Sequence, residues 1–339
     1  MHWHRGPVRP SISLDAPLIA LAGAVLAAGI VSAYVTSATL LPRPDRALDG
    51  YGSRMVRMGS ASFPRAATGA DEVVVRVEAA PRRLVSQSMS TDEYLYAVLP
   101  PERIVGVSEG AYERRISNVL DRVHAYRPVV ASDVERVLRS GPDLVFTPAE
   151  ARVEIPGLLR AAGVPVYRIP TMFPTLASIE DHIRLVGYLS GEDARAETEV
   201  RRFRASVQRA AARKPAGAPA PRVMGFGGMY SYGSDTLFSD ILRVLGAENV
   251  AATHGFIGYD RVTDEHIVRW DPDWIVAGAD RGLAGQVRER LLANPAIAVT
   301  TAGRRGHVVV FENQVFLPLS PFASGLVEML AEALYGAAS

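Results

Sequence analysis

The sequence predicts an α/β protein of two similar three-layer lobes joined by a single long helix, with an N-terminal transmembrane helix. Three observations carry that expectation: one stretch occurs twice, strand-like and helix-like runs alternate and restart after a proline-rich break, and an uncharged apolar run lies near the N-terminus. The repeated stretch is ERVLRSGPDLV at residues 135–145 and EHIVRWDPDWI at residues 265–275. Glu, Arg, Pro and Asp recur in register, with aliphatic residues at matching positions. Each copy reads as a short amphipathic helix, stopped by Pro-Asp and followed at once by an apolar strand. Two lobes built alike leave a cleft between them, and clefts are where small ligands bind.

Along the first half, strands are expected at residues 72–77, 83–86, 103–107, 144–146 and 164–167, from runs rich in β-branched residues. Helices are expected at residues 91–98, 133–139 and 156–162. Strands alternating with helices argue for a parallel, helix-covered sheet. A long helix follows, with Ser190 and Asp193 resembling a capping box and Ala196, Val200, Phe203, Val207 and Ala211 along one face. The run KPAGAPAP at residues 214–221 stops it. The alternation then restarts, with strands at 222–226, 274–276 and 308–310 and helices at 237–245, 265–269, 287–292 and 323–334. The implied organisation is an N-terminal binding lobe at 71–190, an interlobe helix at 191–214 and a C-terminal binding lobe at 215–339, with limited hinge motion between them.

Residues 18–41 hold neither charge nor proline and as a helix would extend about 36 Å, enough to cross a bilayer. A cleaved signal peptide competes, since Arg5 and Arg9 precede the run and Val31-Ser32-Ala33 is a passable cleavage site. The run exceeds a usual signal core of about 7–15 residues, which favours an uncleaved anchor. Arg5 and Arg9 face Arg43 and Arg46 across it, so the positive-inside rule scarcely discriminates. The short tail at 1–17 is placed in the cytoplasm because it is short, and the globular part on the extracytoplasmic side. Residues 42–70, rich in Pro, Arg, Gly, Ser and Ala, read as a flexible linker with an end-to-end distance of about 30 Å.

Composition excludes several functions. A net charge of +1 with no basic stripe gives no case for nucleic acid. With 0 cysteines there is no disulfide, thiol catalysis, cysteine-ligated metal or lipid-modified cysteine. The segment from Gly225 to Tyr230 starts like a dinucleotide loop but has Tyr where a third glycine belongs, and no Gly-x-Ser-x-Gly elbow presents a nucleophile. The chain is therefore read as a binding protein, with no enzyme activity, no cofactor and no metal site assigned.

At residues 83–86, 93–95 and 103–108 the pattern RLVS, EYL and RIVGVS resembles the opening strand, helix and strand of the extracytoplasmic substrate-binding proteins of ABC importers for iron–siderophores, haem and cobalamin. Residues 134–138 with 142–145, and LGAENV at 245–250, are similar to later elements, so the likeness covers about residues 72–336. Met89 stands where that family often has Pro, and Leu99-Pro100-Pro101 replaces a glycine-bearing turn. The resemblance implies capture of a ferric siderophore, haem or cobalamin-type ligand between the lobes and delivery to a permease. It also implies that Glu135 and Glu265 dock onto permease arginines; the alternative is that both only complement a helix dipole.

A ligand in such a cleft would meet loops after the strand ends. Those loops hold Tyr112 and Arg115 beside Arg114, Phe173, Tyr230 and Tyr232, and Tyr259 near Phe256. Aromatic faces, phenols and arginine suit a bulky anionic metal chelate or corrinoid. Two alternatives stay open: a non-transport sensor or scaffold of the same fold, and bare divalent-metal binding, for which His124, His254 and Asp280 are the least implausible set.

Overall fold

The computed structural model describes residues 62–123, 133–152, 154–171 and 174–336. The chain divides into two units, residues 1–48 and 49–339, and every described residue belongs to the second. The transmembrane helix expected at 18–41 lies outside the described residues. Among those described, no helix is long and apolar enough to cross a membrane.

The body opens with a hairpin of β1 (Arg65–Thr68) and β2 (Val74–Val77), paired antiparallel. This corrects the linker, which does not run to residue 70. An Arg-Ala-Ala-Thr strand carries no sequence periodicity, and its order comes from what Arg65 touches. The first sheet then forms from β3 (Leu84–Ser86), helix α1 (Met89–Val98), β4 (Ile104–Gly106), α2 (Val134–Arg139), β5 (Leu144–Pro148), α3 (Glu154–Ala161) and β6 (Val166–Ile169). Its strands are all parallel, in the order β4-β3-β5-β6. Two helices follow, α4 (Leu176–Ser190) and α5 (Asp193–Ala211).

The second sheet is built from β7 (Arg222–Phe226), β8 (Tyr230–Tyr232), α6 (Leu237–Leu245), β9 (Glu248–Asn249), α7 (Val250–Thr253), β10 (Tyr259–Arg261), α8 (Asp264–Trp270), β11 (Trp274–Ala279), α9 (Ala284–Leu292), α10 (Pro295–Ala298), α11 (Thr301–Arg305), β12 (Val308–Glu312), α12 (Asn313–Phe316) and α13 (Ala323–Tyr335). Its parallel strands run β9-β7-β11-β12. With β9, β7, β11 and β12 read as counterparts of β4, β3, β5 and β6, the strand order is the same in both lobes. The second lobe adds an antiparallel extension, in which β8 pairs with β7 and β10 with β8.

Alternation along the strands places three apolar clusters. Leu84, Leu144, Phe146, Tyr167 and Ile169 face one side of the first sheet, while Val85, Val145 and Val166 face the other with Val137, Ile155 and Leu159. In the second sheet Val223, Val276 and Phe311 join the same central cluster as Leu84, while Met224, Ile275, Ala277 and Val308 pack outward with Ile267 and Trp270. Successive side chains point to opposite faces and are apolar on both, as in a parallel strand covered on each side. The consequence is a single core running between the two sheets, filled by α1, α4, α5, α6 and α13.

The repeated stretch folds alike in both lobes. Asp143 Oδ2 accepts from the backbone N–H groups of Arg82 (2.7 Å) and Arg83 (3.0 Å), and Asp273 Oδ2 accepts from that of Arg222 (3.0 Å). The Arg83 side chain donates to the carbonyls of Gly141 (2.8 Å) and Ser140, and that of Arg222 to those of Asp271 (2.9 Å) and Trp270 (2.6 Å). Gly141 and Asp271 occupy equivalent places, both left-handed, with φ of 58° and 40°. Thus one arginine in each lobe caps the helix carbonyls left without intrahelical donors, and the Asp after Pro ties the following strand to its neighbour.

The single interlobe helix needs correcting. Helix α5 spans nearly the expected range, but it packs against α4, which the sequence reading did not assign. Gly191 turns the chain between them with φ of 78°, and a Cβ on Gly187 would stand 2.3 Å from that of Ala196. Ser190 does not cap α5; its hydroxyl donates to Val186 O (2.6 Å) as the last residue of α4. Helix α13 packs along α5, so the lobes are joined by a helical layer and not by one rod.

Arg65 fixes the entry of the chain to this layer. Its buried guanidinium lies 4.7 Å from the Phe63 ring and 5.0 Å from the Tyr188 ring, and donates to Tyr188 O (2.6 Å) and Asp193 Oδ2 (2.7 Å). Replacing it removes charged hydrogen bonds and the cation–aromatic contacts together. Arg65→Ala is expected to cost about 2–4 kcal/mol, read as a lowered urea midpoint, and a fragment beginning at residue 71 should lose at least as much.

Candidate functional site

The C-terminal ends of both parallel sheets point to one region, as contacts between the segments that follow them show. Arg115, in the loop after β4, lies 3.7 Å from Asp280, the residue after β11. Asn118 Nδ2 in the same loop donates to Gln314 O just past β12 (2.8 Å). Glu93, on the helix after β3, accepts from Ser320 Oγ between α12 and α13 (2.5 Å). Strand ends that converge from two sheets are where α/β folds bind ligands.

Tyr230, Tyr232 and Tyr259 are brought together, though on strands and not on loops. The sharp turn at Gly227-Gly228 folds β8 back onto β7, and β10 sets Tyr259 opposite Tyr232 and Arg261 opposite Tyr230. The Tyr232 and Tyr259 rings meet edge to face at 5.4 Å, and Tyr232 also lies 5.5 Å from both Phe238 and Phe316. Burial, then the nearby Tyr259, pushes the Tyr232 phenol above its usual range, so it keeps its proton. Two glycines make room for this cluster. A Cβ on Gly225 would lie 2.5 Å from Tyr232 Cδ2 and 2.8 Å from Phe238 Cε1, and one on Gly278 would lie 2.7 Å from Phe316 Cδ1.

On the first lobe, Tyr112 donates through its phenol to Val123 O (3.1 Å). Arg115 is not a free cation. It donates to both oxygens of Glu113 (3.0 and 3.2 Å), and that hydrogen bonding holds the Glu113 carboxyl below its usual range. Asp280 in turn accepts from Asn313 Nδ2 (3.0 Å). An anionic ligand at Arg115 would therefore compete with two carboxylates. Phe173 and His124 lie outside the described residues. The metal set loses its geometry, since His254 packs 5.1 Å from Trp270 on the outward side of the second sheet. Among the described residues no group of three or more His, Asp or Glu side chains converges on a metal position.

Glu135 and Glu265 sit at equivalent exposed positions in the first turns of α2 and α8. Beside Glu265, Asp264, Val268 and Arg269 line a shallow concavity of about 350 Å³, and Val268 is 48% exposed. Sequence reasoning missed Asp92, Glu93, Asn118 and Ser320 at the joint. Adjacent acidic residues on an amphipathic helix read as a solvated face, and the signal against it lay in polar residues 16 to 227 positions away.

The family described as periplasmic binding protein matches residues 84–315, from the first strand of the first sheet to the helix after the last strand of the second. The chain belongs to the periplasmic binding protein family. The resemblance read at residues 83–108 and 134–145 is thereby borne out. This periplasmic binding protein is 27% identical over 259 residues to a cobalamin-binding protein of Halobacterium salinarum (strain ATCC 29341 / DSM 671 / R1), covering 73% of this chain and 68% of that one. It is 24% identical to an uncharacterized ABC transporter substrate-binding lipoprotein of Bacillus subtilis (strain 168), covering 74% and 80%. It shares its fold with the periplasmic heme-binding protein RhuT from Roseiflexus sp. RS-1 in apo form, with TM-score 0.64, 24% identity and coverage of 75% and 98%.

The tightness around Gly225 gives a direct check on the aromatic cluster. Gly225→Ala is expected to cost about 1–3 kcal/mol by overpacking, and to alter near-ultraviolet circular dichroism as the Tyr232 ring is displaced.

Proposed function

We propose that this chain is the substrate-binding component of an ABC importer, and that it captures an organic metal chelate of the corrinoid, haem or ferric-siderophore class between its lobes. The observation that carries this is the convergence of strand ends from two like sheets, and Tyr112, Arg115, Tyr230, Tyr232 and Tyr259 are the side chains assigned here to the ligand. The cobalamin-binding and heme-binding relatives support a flat, bulky chelate, and the cobalamin-binding protein makes a corrinoid the first ligand to try. Aromatic faces supply contact area, and phenols supply directed hydrogen bonds to the ligand rim. No covalent step is required. The apolar run at 18–41 would hold the body at the membrane in place of a lipid anchor, keeping it near its permease on the extracytoplasmic side.

Delivery needs a docking face on each lobe. Glu135 and Glu265 suit it, because the two arginine clamps put these carboxylates at matching places and leave both exposed. Separated charges of one sign set orientation and encounter rate with an arginine-bearing permease.

A thermal-shift panel of cobalamin, haem, ferric siderophores and bare divalent cations tests the ligand class. At about 100 times its dissociation constant the true ligand should add about 2.7 kcal/mol, and Tyr259→Ala should reduce that response. Stabilisation by bare zinc or manganese alone would overturn the reading, as would silence across the panel. For docking, Glu135→Arg with Glu265→Arg is expected to weaken capture by the reconstituted permease about tenfold or more, leaving ligand-induced stabilisation unchanged.

A further inference from the structure

Asp92 and Glu93 are consecutive on α1, and both are fully buried. Among the described residues neither forms an ion pair. Asp92 accepts from the backbone N–H of Ser108 (3.0 Å) and from its hydroxyl (2.5 Å), all within the first lobe. Glu93 reaches across. Its Oε1 accepts from Asn118 Nδ2 (2.8 Å), which also donates to Gln314 O (2.8 Å), and its Oε2 accepts from Ser320 Oγ (2.5 Å). Ser320 Oγ accepts in turn from the N–H of Phe322 (3.2 Å), at the start of α13. One carboxyl thus holds together a loop of the first lobe and two segments of the second.

The groups around it offer no compensating charge. Asp92 adjoins it on the same helix, and Tyr94 follows, its phenol pushed up by burial and by Glu93. The Tyr94 hydroxyl lies 3.4 Å from Nδ1 of His182 on α4, whose ring burial pushes down to about 4, so it is neutral near neutral pH. Tyr112, on the loop after β4, has its phenol raised by burial and then by Asp92. Burial raises both Asp92 and Glu93 to about 7, with Asp92 adding to the shift of Glu93.

We propose that Glu93 is a proton-operated clasp between the lobes: neutral, it holds Asn118, Gln314 and Ser320 in one dry joint; ionised, it admits water there and lets the second lobe move away from the first. In the neutral form the proton sits on Oε2 and is donated to Ser320 Oγ; on ionisation it passes to bulk solvent and the Ser320 hydroxyl turns to donate to the carboxylate. The inference concerns the lobes themselves and stands whether or not a ligand of the proposed class binds. The direction follows from linkage. In an opened, hydrated joint Glu93 returns toward its ordinary 4.5, whereas in the closed joint it stays protonated up to about 7. Between those values each unit of rising pH shifts the balance toward the open form by up to about tenfold, and above about 7 the shift levels off.

Hydrogen exchange on the full-length chain tests this. After correction for intrinsic rates, amides of residues 313–322 are expected to lose protection several-fold between about pH 5.5 and about pH 7, and Glu93→Gln should flatten that dependence. A wild-type profile without pH dependence, or the same slope in Glu93→Gln, overturns the proposal. Should that variant not fold, infrared titration of the wild-type chain beside Asp92→Asn decides: a protonated-carboxyl signal surviving to about pH 7 in both is expected, and its complete loss by about pH 5.5 in either overturns the clasp.

Discussion

The arrangement of both lobes depends on one device used twice: an arginine at the head of the first parallel strand grips the end of a short helix, while the aspartate three or four residues beyond that helix grips the strand. Arg83 with Asp143, and Arg222 with Asp273, each join two pieces of backbone that are distant in sequence, the strand head and the helix-to-strand junction. Helix ends leave carbonyls without donors, and a planar guanidinium can satisfy two of them while its charge opposes the helix dipole. Proline stops the helix and aspartate starts the ladder, so helix end, strand start and neighbouring strand are set together. The two exposed glutamates therefore stand in the same relation to their sheets.

Because each sheet is apolar on both faces, the inner faces must be covered, and they cover each other through shared helices. Tyr94, Ile183, Phe203, Leu242 and Leu330 belong to one cluster although they come from α1, α4, α5, α6 and α13. A core common to both lobes resists large rotation, since opening it would expose close-packed apolar surface to water. Movement is then confined to the strand-end side, where the joining contacts are polar and few.

Much of this was legible in the sequence, and what was not has identifiable physical causes. The repeat at Glu135 and Glu265 marked the duplication because proline and aspartate perform the same backbone task in each copy. The strand at Arg222–Phe226 and the helix at Leu237–Leu245 were read with their observed ends, the latter helped by a clean apolar stripe closed by left-handed Gly246. Helix α4 does carry an apolar stripe at Leu176, Ile179, Ile183 and Val186 with Glu180, Asp181 and Arg184 on the other face, so its period was legible although it was not assigned. β1 was hidden by a composition typical of linkers. In the candidate site, the tyrosines were picked out by residue type, but their placement on β8 and β10 depends on a glycine turn and on pairing with a strand almost thirty residues further on. The buried Asp92 and Glu93 had no local mark, since only the folded partners Ser108, Asn118 and Ser320 distinguish them from solvated acids.

The grip of Arg65 on Tyr188 and Asp193 also has a mechanical side. The polypeptide enters the body at the turn of the α4–α5 hairpin, an element common to both halves of the molecule. Tension applied along the chain ahead of residue 62 would be borne there, at a shared foundation, and would not pry one half from the other. The protein could be pulled or restrained from that end while the jaws of its cleft kept their own freedom to move.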